Sequence, residues 1–432
     1  MNHMVQTLKR IHDGRDWFCA KRFGLFVHWG LYALHGYHEQ EQWRRRISRD
    51  AYMKLADLWN PRSFDPHAWL DLAEEAGMEY LVLTTKHHDG FCLWDTQETS
   101  FNCMNTPFGK DIVRAFVDAC HERGFPVGLY YSVVDWNHPN YPNQGRHHEL
   151  AGPEPGDQPD PDRYYAFLKR QVRELCTHYG EINAFWWDMN VEERKDPSIN
   201  AMIHELQPGC LINNRGMDGG DFGTPEREWD NHGDVLAYEG LVEACNSVGF
   251  QSWGYRVNES YYTDRHLLRS IDTYLAKGGN YLLNVGPDPD GVIPEKPAAI
   301  LRRIGDWMGK VRESLFEVEP ASAMTENRNV LLTRRGNTLY VHLVVDPLEE
   351  DVILKPLYNL PVRATLLNDG RSLRTANDML PWQHMEQRGY LRIQGLPVNE
   401  YANTVLVVKL EFDRLEAVVA DRTEAGLDRN IM

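Results

Sequence analysis

The residues of this chain that could do chemistry stand at the ends of short apolar runs. The plainest run is Ala184-Phe185-Trp186-Trp187-Asp188, which climbs to two tryptophans and stops on a carboxylate. Its length is that of a buried strand rather than a helix. A charge at the end of a buried parallel strand lies at the carboxyl edge of the sheet, where α/β folds build their sites. An isolated carboxylate there serves as nucleophile, base or metal ligand. The plainer alternative is a helix N-cap, a position Asp fills well. Tryptophan beside it suits stacking on the apolar face of a sugar ring. Other runs end in the same way. Residues 23–30 run out into His28-Trp29, 80–90 into His87-His88-Asp89, and 125–132 into Tyr130-Tyr131 with Asp135 beyond. Residues 210–215 end on the cation Arg215, and 280–287 carry Asn284. Taken alone, His28 reads equally well as a satisfied core histidine.

Two chemistries compete for this set. Metal-assisted hydrolysis would use His87, His88 and Asp89. Adjacent residues at a strand end point to opposite sides, however, which makes shared ligation awkward. The chain has no HExxH and no paired-cysteine motif, so neither a metal centre nor another cofactor is expected. Glycoside hydrolysis needs two carboxylates flanking the scissile bond, with aromatic and hydrogen-bonding groups around the ring. Asp188 supplies one, and Glu226, in the loop that follows the Gly-rich segment 216–223, supplies the other. The bland reading of Glu226 is a solvated carboxylate beside Arg227. A carbohydrate-binding module without catalysis is a third reading, and it would not require the carboxylate pair.

These side chains need a scaffold that brings many strand ends to one rim. Helix signals lie between the strands. Asp65-Pro66, Asp111 and Asp196-Pro197 open helices, and Gly77, Gly124 and Gly180 close them. The alternation continues to about residue 315 and predicts an irregular (β/α)8 TIM-like barrel. A doubly wound sheet would carry a Gly-rich phosphate loop after its first strand, and His28-Trp29-Gly30 is not one. Residues 137–161, rich in Pro, Gly, Asn and His, read as a long functional loop. Residues 247–256, with Trp253, read as another strand end. Beyond 325 the texture changes to short strands, with Gly336-Asn337 as a hairpin turn. The expected division is a catalytic barrel over 1–325, a C-terminal β-sandwich over 326–412 and a polar tail over 413–432.

The bulk composition narrows the partners. A formal charge of −17 argues against nucleic acid and anionic membrane surfaces. Oligomerisation of identical chains is left open. The seven cysteines are scattered, odd in number and without CxxC spacing, as expected for buried free thiols in a reducing compartment. The first ten residues hold no apolar signal segment, and no run is long enough to span a membrane. A cytoplasmic location is therefore expected.

Several motifs in register resemble one family. Phe-Gly-Leu-Phe-Val-His-Trp-Gly (23–30), Thr-Thr-Lys-His-His-Asp-Gly-Phe (84–91), Gly-Leu-Tyr-Tyr-Ser (128–132), Trp-Trp-Asp ending at Asp188, and Leu-Leu-Asn-Val-Gly-Pro (282–287) are similar to the signatures of the retaining α-L-fucosidases of glycoside hydrolase family 29. The resemblance covers about residues 15–315. It implies hydrolysis of terminal α-L-fucosyl linkages in oligosaccharides or glycoconjugates through a covalent glycosyl-enzyme, on a barrel with a C-terminal β-sandwich. It implies that Asp188 is the nucleophile and that His28, His87 and His88 bind sugar hydroxyls. Tyr131 and Trp43 would line the pocket and Arg215 would sit near the carboxylates. Trp253, on the neighbouring strand end, joins this set. For the acid/base the resemblance points to the segment 221–226 and hence to Glu226, with Glu228 and Glu243 in reserve. One departure stands out. The family commonly places Glu before the pocket tryptophan, whereas Gln42 precedes Trp43 here, with Glu41 one further back. That leaves room for a related sugar, such as an α-L-galactoside.

Overall fold

Strand and helix alternate from the first apolar run onward. α1 (Arg15–Ala20) leads into β1 (Phe23–Val27), and α2 (Glu41–Arg44), α3 (Arg49–Met53) and α4 (Pro66–Glu75) precede β2 (Tyr80–Lys86). α5 (Ile112–Glu122), β3 (Val127–Ser132), α6 (Pro161–His178), β4 (Ala184–Asp188), α7 (Pro197–Leu206) and β5 (Leu211–Ile212) follow in turn. β6 (Glu243–Ser247), α8 (Asp264–Ala276), β7 (Asn280–Val285) and α9 (Glu295–Val311) complete the series. This computed structural model describes residues 14–146, 148–188, 195–227, 235–381, 385 and 388–415. Glu228 and residues 416–432 of the tail lie outside the described residues.

The helix starts are set by their caps. The carboxylates of Asp65, Asp111, Asp160 and Asp196 accept from the amides of His67, Arg114, Arg163 and Ser198. Three of these helices also carry proline in the first turn, where no intrahelical N–H is needed. β1 to β4 and β7 are almost wholly buried, as parallel strands covered on both faces must be. The strand expected over 247–256 is β6, which instead ends at Ser247. Glu243 and Asn246 interrupt its apolar pattern and hide it in the sequence.

The parallel strands form one curled sheet in the order β5-β4-β3-β2-β1-β7-β6. The gap between its edges is bridged by residues 222–226, which make single-residue pairings on both sides. Phe222 pairs with Asn213, beyond β5, while Gly223 pairs with Val242 and Glu226 with Cys245 on the β6 side. This irregular eighth segment completes a TIM-like barrel. Alternate residues face its interior, where Phe26, Tyr80, Val82, Tyr130, Trp186, Cys245 and Leu282 form one cluster. Two residues further along the same strands come His28, Thr84, Ser132, Asp188, Ser247 and Asn284, the polar layer at the C-terminal rim.

The chain divides into two compact units. The first comprises residues up to Glu226, Gly240–Tyr262 and Asn280–Arg302, and the second comprises Arg227–Glu239, Thr263–Gly279 and everything from Arg303 onward. The second unit thus takes α8 and the end of α9 together with the C-terminal strands. It holds two antiparallel sheets. One runs β12 (Arg363–Leu366), β15 (Leu406–Glu411), β10 (Thr338–Leu343), β9 (Leu331–Arg335), β8 (Glu319–Pro320). The other runs β11 (Asp351–Ile353), β14 (Tyr390–Gln394), β13 (Arg374–Asp378). β9 and β10 are joined at the Gly336-Asn337 turn. A core of Leu332, Val341, Leu354, Leu366, Ile393 and Val408 fills this β-sandwich. α8 is fastened to it by a buried pair, the Asp272 carboxylate 2.8 Å from His342 Nδ1. Thr333 donates to the Ser314 carbonyl at 2.6 Å, so its hydroxyl oxygen accepts from His342 Nε2 at 3.0 Å.

Gly24 of β1 is demanded by packing in the barrel interior. A Cβ there would stand 2.4 Å from the ring of Tyr80, a buried side chain whose hydroxyl is engaged by Glu243 at 2.5 Å. Gly24→Ala is expected to destabilise the protein by about 1–3 kcal/mol through overpacking. Equilibrium chemical denaturation checks this, and an unchanged midpoint would show that the ring yields freely.

Candidate active site

The polar rim encloses a pocket of about 210 Å³. That is below the roughly 300–1,000 Å³ of pockets for drug-sized ligands and suits a single sugar ring. Its walls include Phe26, His28, Glu39, Gln40, His87, His88, Tyr130, His148, Trp186, Asp188, Arg215, Glu226 and Trp253.

Asp188 ends β4 with its carboxylate turned into this pocket. Oδ2 accepts from the Tyr130 hydroxyl at 2.7 Å, and Oδ1 lies 3.5 Å from Arg215 Nη1. Burial pushes the carboxyl up, but His88, Arg215 and the Tyr130 hydrogen bond outweigh it and hold Asp188 below its ordinary range. His88 itself is pushed down by burial to about 4, so it is neutral at pH 7. The cation that keeps Asp188 ionised there is Arg215.

Hydrogen-bond accounting assigns the histidine tautomers. Ser132 spends its one proton on the Val134 carbonyl at 2.9 Å, so His88 Nδ1–H must donate to Ser132 Oγ at 2.6 Å. Neutral His88 then turns an acceptor nitrogen, Nε2, toward Asp188 Oδ2 at 3.8 Å. Asn284 Nδ2 donates to the Trp253 carbonyl at 2.7 Å, which turns Oδ1 toward His28 and puts a proton on His28 Nδ1, 2.6 Å away. His87 stacks on Tyr130 with its ring 8° from parallel, and burial holds it well below the usual histidine range.

Arg215 joins the two carboxylates. Its Nη1 donates to Glu226 Oε2 at 2.5 Å as well as facing Asp188 Oδ1 at 3.5 Å, so these oxygens are at most 6.0 Å apart, the sum of the two distances. Nε and Nη2 donate to the hydroxyl and carbonyl of Thr224 at 2.8 and 3.0 Å, and the guanidinium lies 4.8 Å from the Trp186 ring centre. Glu226 is 40 % exposed, in contact with both Arg215 and solvent.

The structure therefore brings His28, His87, His88, Asp188, Arg215, Glu226 and Trp253 together as the sequence suggested. It does not bring Tyr131. That side chain faces the outer layer, donating to Gln171 of α6 at 2.6 Å and lying under Lys86, and the hydroxyl on Asp188 belongs to Tyr130. Trp43 also stands outside the wall, packed edge-on against His148 at 5.3 Å, and it is His148 that reaches the pocket. Glu243 is buried and absent from the wall, which removes it as an acid/base reserve.

Glu39, like His148, is a wall residue that sequence reasoning missed. It is buried, and its Oε2 accepts from Ser252 Oγ, Trp253 N and Gly254 N at 2.7, 2.9 and 3.2 Å. Burial raises its pKa, but His38 and the Ser252 bond bring it below the ordinary value. Its only sequence signal is its place in the polar run His38-Glu39-Gln40-Glu41-Gln42 that follows the first strand. Gln42 is meanwhile paired with the Asn137 side-chain amide at 2.9 and 3.1 Å, away from the pocket. The missing carboxylate at position 42 is thus no gap in the wall, because Glu39 supplies one.

Ligand atoms of His87, His88 and Asp188 all lie within 4.8 Å of one another. Neutral imidazoles and a carboxylate are competent metal donors. However, the Asp188 carboxylate is already held by Tyr130 and faces the Arg215 cation at 3.5 Å, which disfavours a dication at the same oxygens.

A parallel barrel with two carboxylates bound to one arginine at its C-terminal rim, walled by indole and imidazole rings, defines a glycoside hydrolase. A family model described as Alpha-L-fucosidase matches residues 2–313. The chain belongs to the α-L-fucosidase family. An α-L-fucosidase of Dictyostelium discoideum is 28% identical over 393 residues, covering 81% of this chain and 82% of that protein. α-L-Fucosidase isoenzyme 1 of Paenibacillus thiaminolyticus superposes with a TM-score of 0.81 at 34% identity, covering 92% of this chain and 98% of that one. The crystal structure of a trapped covalent intermediate of a Bacteroides thetaiotaomicron α-L-fucosidase superposes with a TM-score of 0.78 at 27% identity, covering 93% and 97%.

The adjacent tyrosines give a paired test. Tyr130→Phe removes one hydrogen bond to a partly buried carboxylate, worth about 1.5–3 kcal/mol, and is expected to cut kcat at least tenfold. Tyr131→Phe should lower thermal stability and leave kcat and KM near wild type. Steady-state kinetics on an aryl α-L-fucoside checks both, and the reverse pattern would put Tyr131 back in the pocket.

Proposed function

We propose that in this retaining exo-α-L-fucosidase Asp188 is the nucleophile and Glu226 the acid/base. The observation that carries the assignment is the span of at most 6.0 Å between their Arg215-bound oxygens. Retaining pairs stand about 5–5.5 Å apart, whereas inverting pairs need about 6.5–9.5 Å to admit a water. Asp188 attacks the anomeric carbon while Glu226 protonates the departing oxygen, leaving a fucosyl ester on Asp188 and a carboxylate at Glu226. Glu226 then takes a proton from water as it attacks the same carbon, which frees fucose and restores both groups. The partial exposure of Glu226 suits a group that must meet both leaving group and water.

The remaining wall residues bind the ring. Neutral His87 exchanges hydrogen bonds with sugar hydroxyls, neutral His88 accepts from one through Nε2, and Glu39 accepts from another. Phe26, Trp186 and Trp253 offer the apolar surface that the fucose methyl requires. The pocket's size supports cleavage of one terminal residue from a fucosylated oligosaccharide or glycoconjugate. Six of the seven cysteines are buried thiols, which supports a reducing compartment.

Asp188→Asn should keep the fold and lose about 10³-fold or more in turnover. Near wild-type hydrolysis of an aryl α-L-fucoside by this variant would sink the nucleophile assignment. Glu226→Ala should accumulate the glycosyl-enzyme on an activated aryl fucoside, because departure of a good leaving group needs no acid but the second step still needs a base. Added azide should accelerate turnover and yield β-fucosyl azide, detected by mass spectrometry and NMR. Azide rescue seen instead in Glu39→Ala or Glu228→Ala would move the role to that residue.

A further inference from the structure

Glu243 opens β6 inside the barrel, and no step of the proposed mechanism uses it. It is 1 % exposed. Both of its oxygens are engaged, Oε2 by the Tyr80 hydroxyl at 2.5 Å and Oε1 by the Trp186 indole N–H at 2.8 Å. The Trp186 ring lies nearly parallel to Tyr130, with ring centres 5.9 Å apart, and carries the Arg215 guanidinium at 4.8 Å from its centre. Tyr130 holds one oxygen of Asp188, and Arg215 faces the other and also binds Glu226. A single indole thus stands between a buried carboxyl group and both residues that hold the nucleophile.

We propose that Glu243 is a positioning residue: through the Trp186 N–H it fixes the indole on which Arg215 rests, and so sets where Arg215 holds Asp188 and Glu226. The inference rests on the roles assigned above to those two carboxylates. An anion on the indole N–H also enriches the ring in electron density, which strengthens its attraction for the guanidinium.

Placing a carboxyl group here is costly to the fold. Burial raises Glu243 to about 7, against the Tyr80 and Trp186 hydrogen bonds, which favour the ionised form. The other titratable groups that bear on it are Tyr80, whose hydroxyl is pushed well above 10, and Cys245, raised by burial, so neither ionises near neutrality. The folded protein therefore keeps a proton on Glu243 between about pH 4.5 and 7 that the unfolded chain has lost. Stability falls as pH rises through that window and stays reduced above it. Protonated Glu243 and an amide in its place are similar at low pH, and they differ once Glu243 ionises.

The test is Glu243→Gln, assayed on an activated aryl α-L-fucoside from pH 5 to 8 alongside thermal melts. The ratio of wild-type to variant kcat is expected to be near one at pH 5 and about tenfold at pH 8, with KM within twofold. Asp188 and Glu226 are common to both proteins and cancel in this ratio. The variant should also melt higher than wild type at pH 8, with the gap closing toward pH 5. A residue kept only for structure would move stability and turnover down together. Trp186→Phe retains Glu243 but cuts the connection, so it should show the same loss at pH 8, and adding Glu243→Gln to it should cost nothing more. A pH-independent ratio, a lower melting temperature at pH 8, or additive losses in the double variant would overturn the proposal. If Glu243→Gln does not fold, full kcat at pH 8 in Trp186→Phe would overturn it. Asp188→Asn assayed in parallel keeps the two claims apart, since retained turnover there sinks the nucleophile assignment whatever Glu243 does.

Discussion

The site depends on one guanidinium. Two carboxyl groups held within 6.0 Å of each other in a pocket repel whenever both are ionised, and the repulsion grows as water is excluded. Arg215 makes the arrangement stable by facing both from a single nitrogen. Its remaining donors are spent on Thr224 and its π-face on Trp186. The planar fork is what allows this division of contacts. A lysine would supply the charge without the fixed directions. Arg215 is itself held from three sides, by the 222–226 segment, by β4 and by the Cys245 thiol at 3.6 Å.

The irregular closure of the barrel follows the same logic. A regular eighth strand would bury its length in ladder bonds and present side chains at fixed spacing. Residues 222–226 make isolated pairings instead, with backbone bonds such as Cys245 N to Pro225 O at 3.0 Å. The chain reaches them through tight turns. Gly220 has φ +63° and sits where a Cβ would come within 2.3 Å of the Asn213 carbonyl oxygen. Gly216 lies where a Cβ would overlap the Trp187 ring. This compact path delivers Glu226 to the rim, partly exposed, opposite the proposed nucleophile, which is only 16 % exposed at the end of β4. A group that meets water in one step and a leaving group in the other is better placed on such a segment than deep in the sheet.

Neutral histidines complete the chemistry. Burial keeps His87 and His88 uncharged at pH 7, so His87 offers one donor and one acceptor nitrogen rather than two donors, while His88, whose Nδ1–H is given to Ser132, presents the acceptor Nε2. That combination suits sugar hydroxyls, which also donate and accept. It leaves Arg215 as the cation at Asp188, and His87 and His88 add no charge there as pH passes through the ordinary histidine range.

Much of this was legible in the sequence, and the reason is local. Strand ends are marked where an apolar run stops on a polar residue, and that mark alone assigns Asp188, His28, His87, His88 and Arg215 to one rim. Helix caps are equally local, because an Asp accepts from an amide two or three residues away. What the sequence left open depends on neighbours far along the chain. Which of Tyr130 and Tyr131 faces the pocket is decided by how β3 is pleated between β2 and β4, and a one-residue change in that phase would exchange them. Glu39 rather than position 42 enters the wall because Ser252, Trp253 and Gly254, more than two hundred residues away, supply its donors. Glu243 lay inside a strand whose polar residues concealed it, and its partners Tyr80 and Trp186 come from two other strands. Sequence alone determined which side chains reach the rim, since that follows from where each strand ends. Only the closed barrel decided which of them meet, because side-chain direction and pairwise distance are set by register across strands that the chain order does not encode.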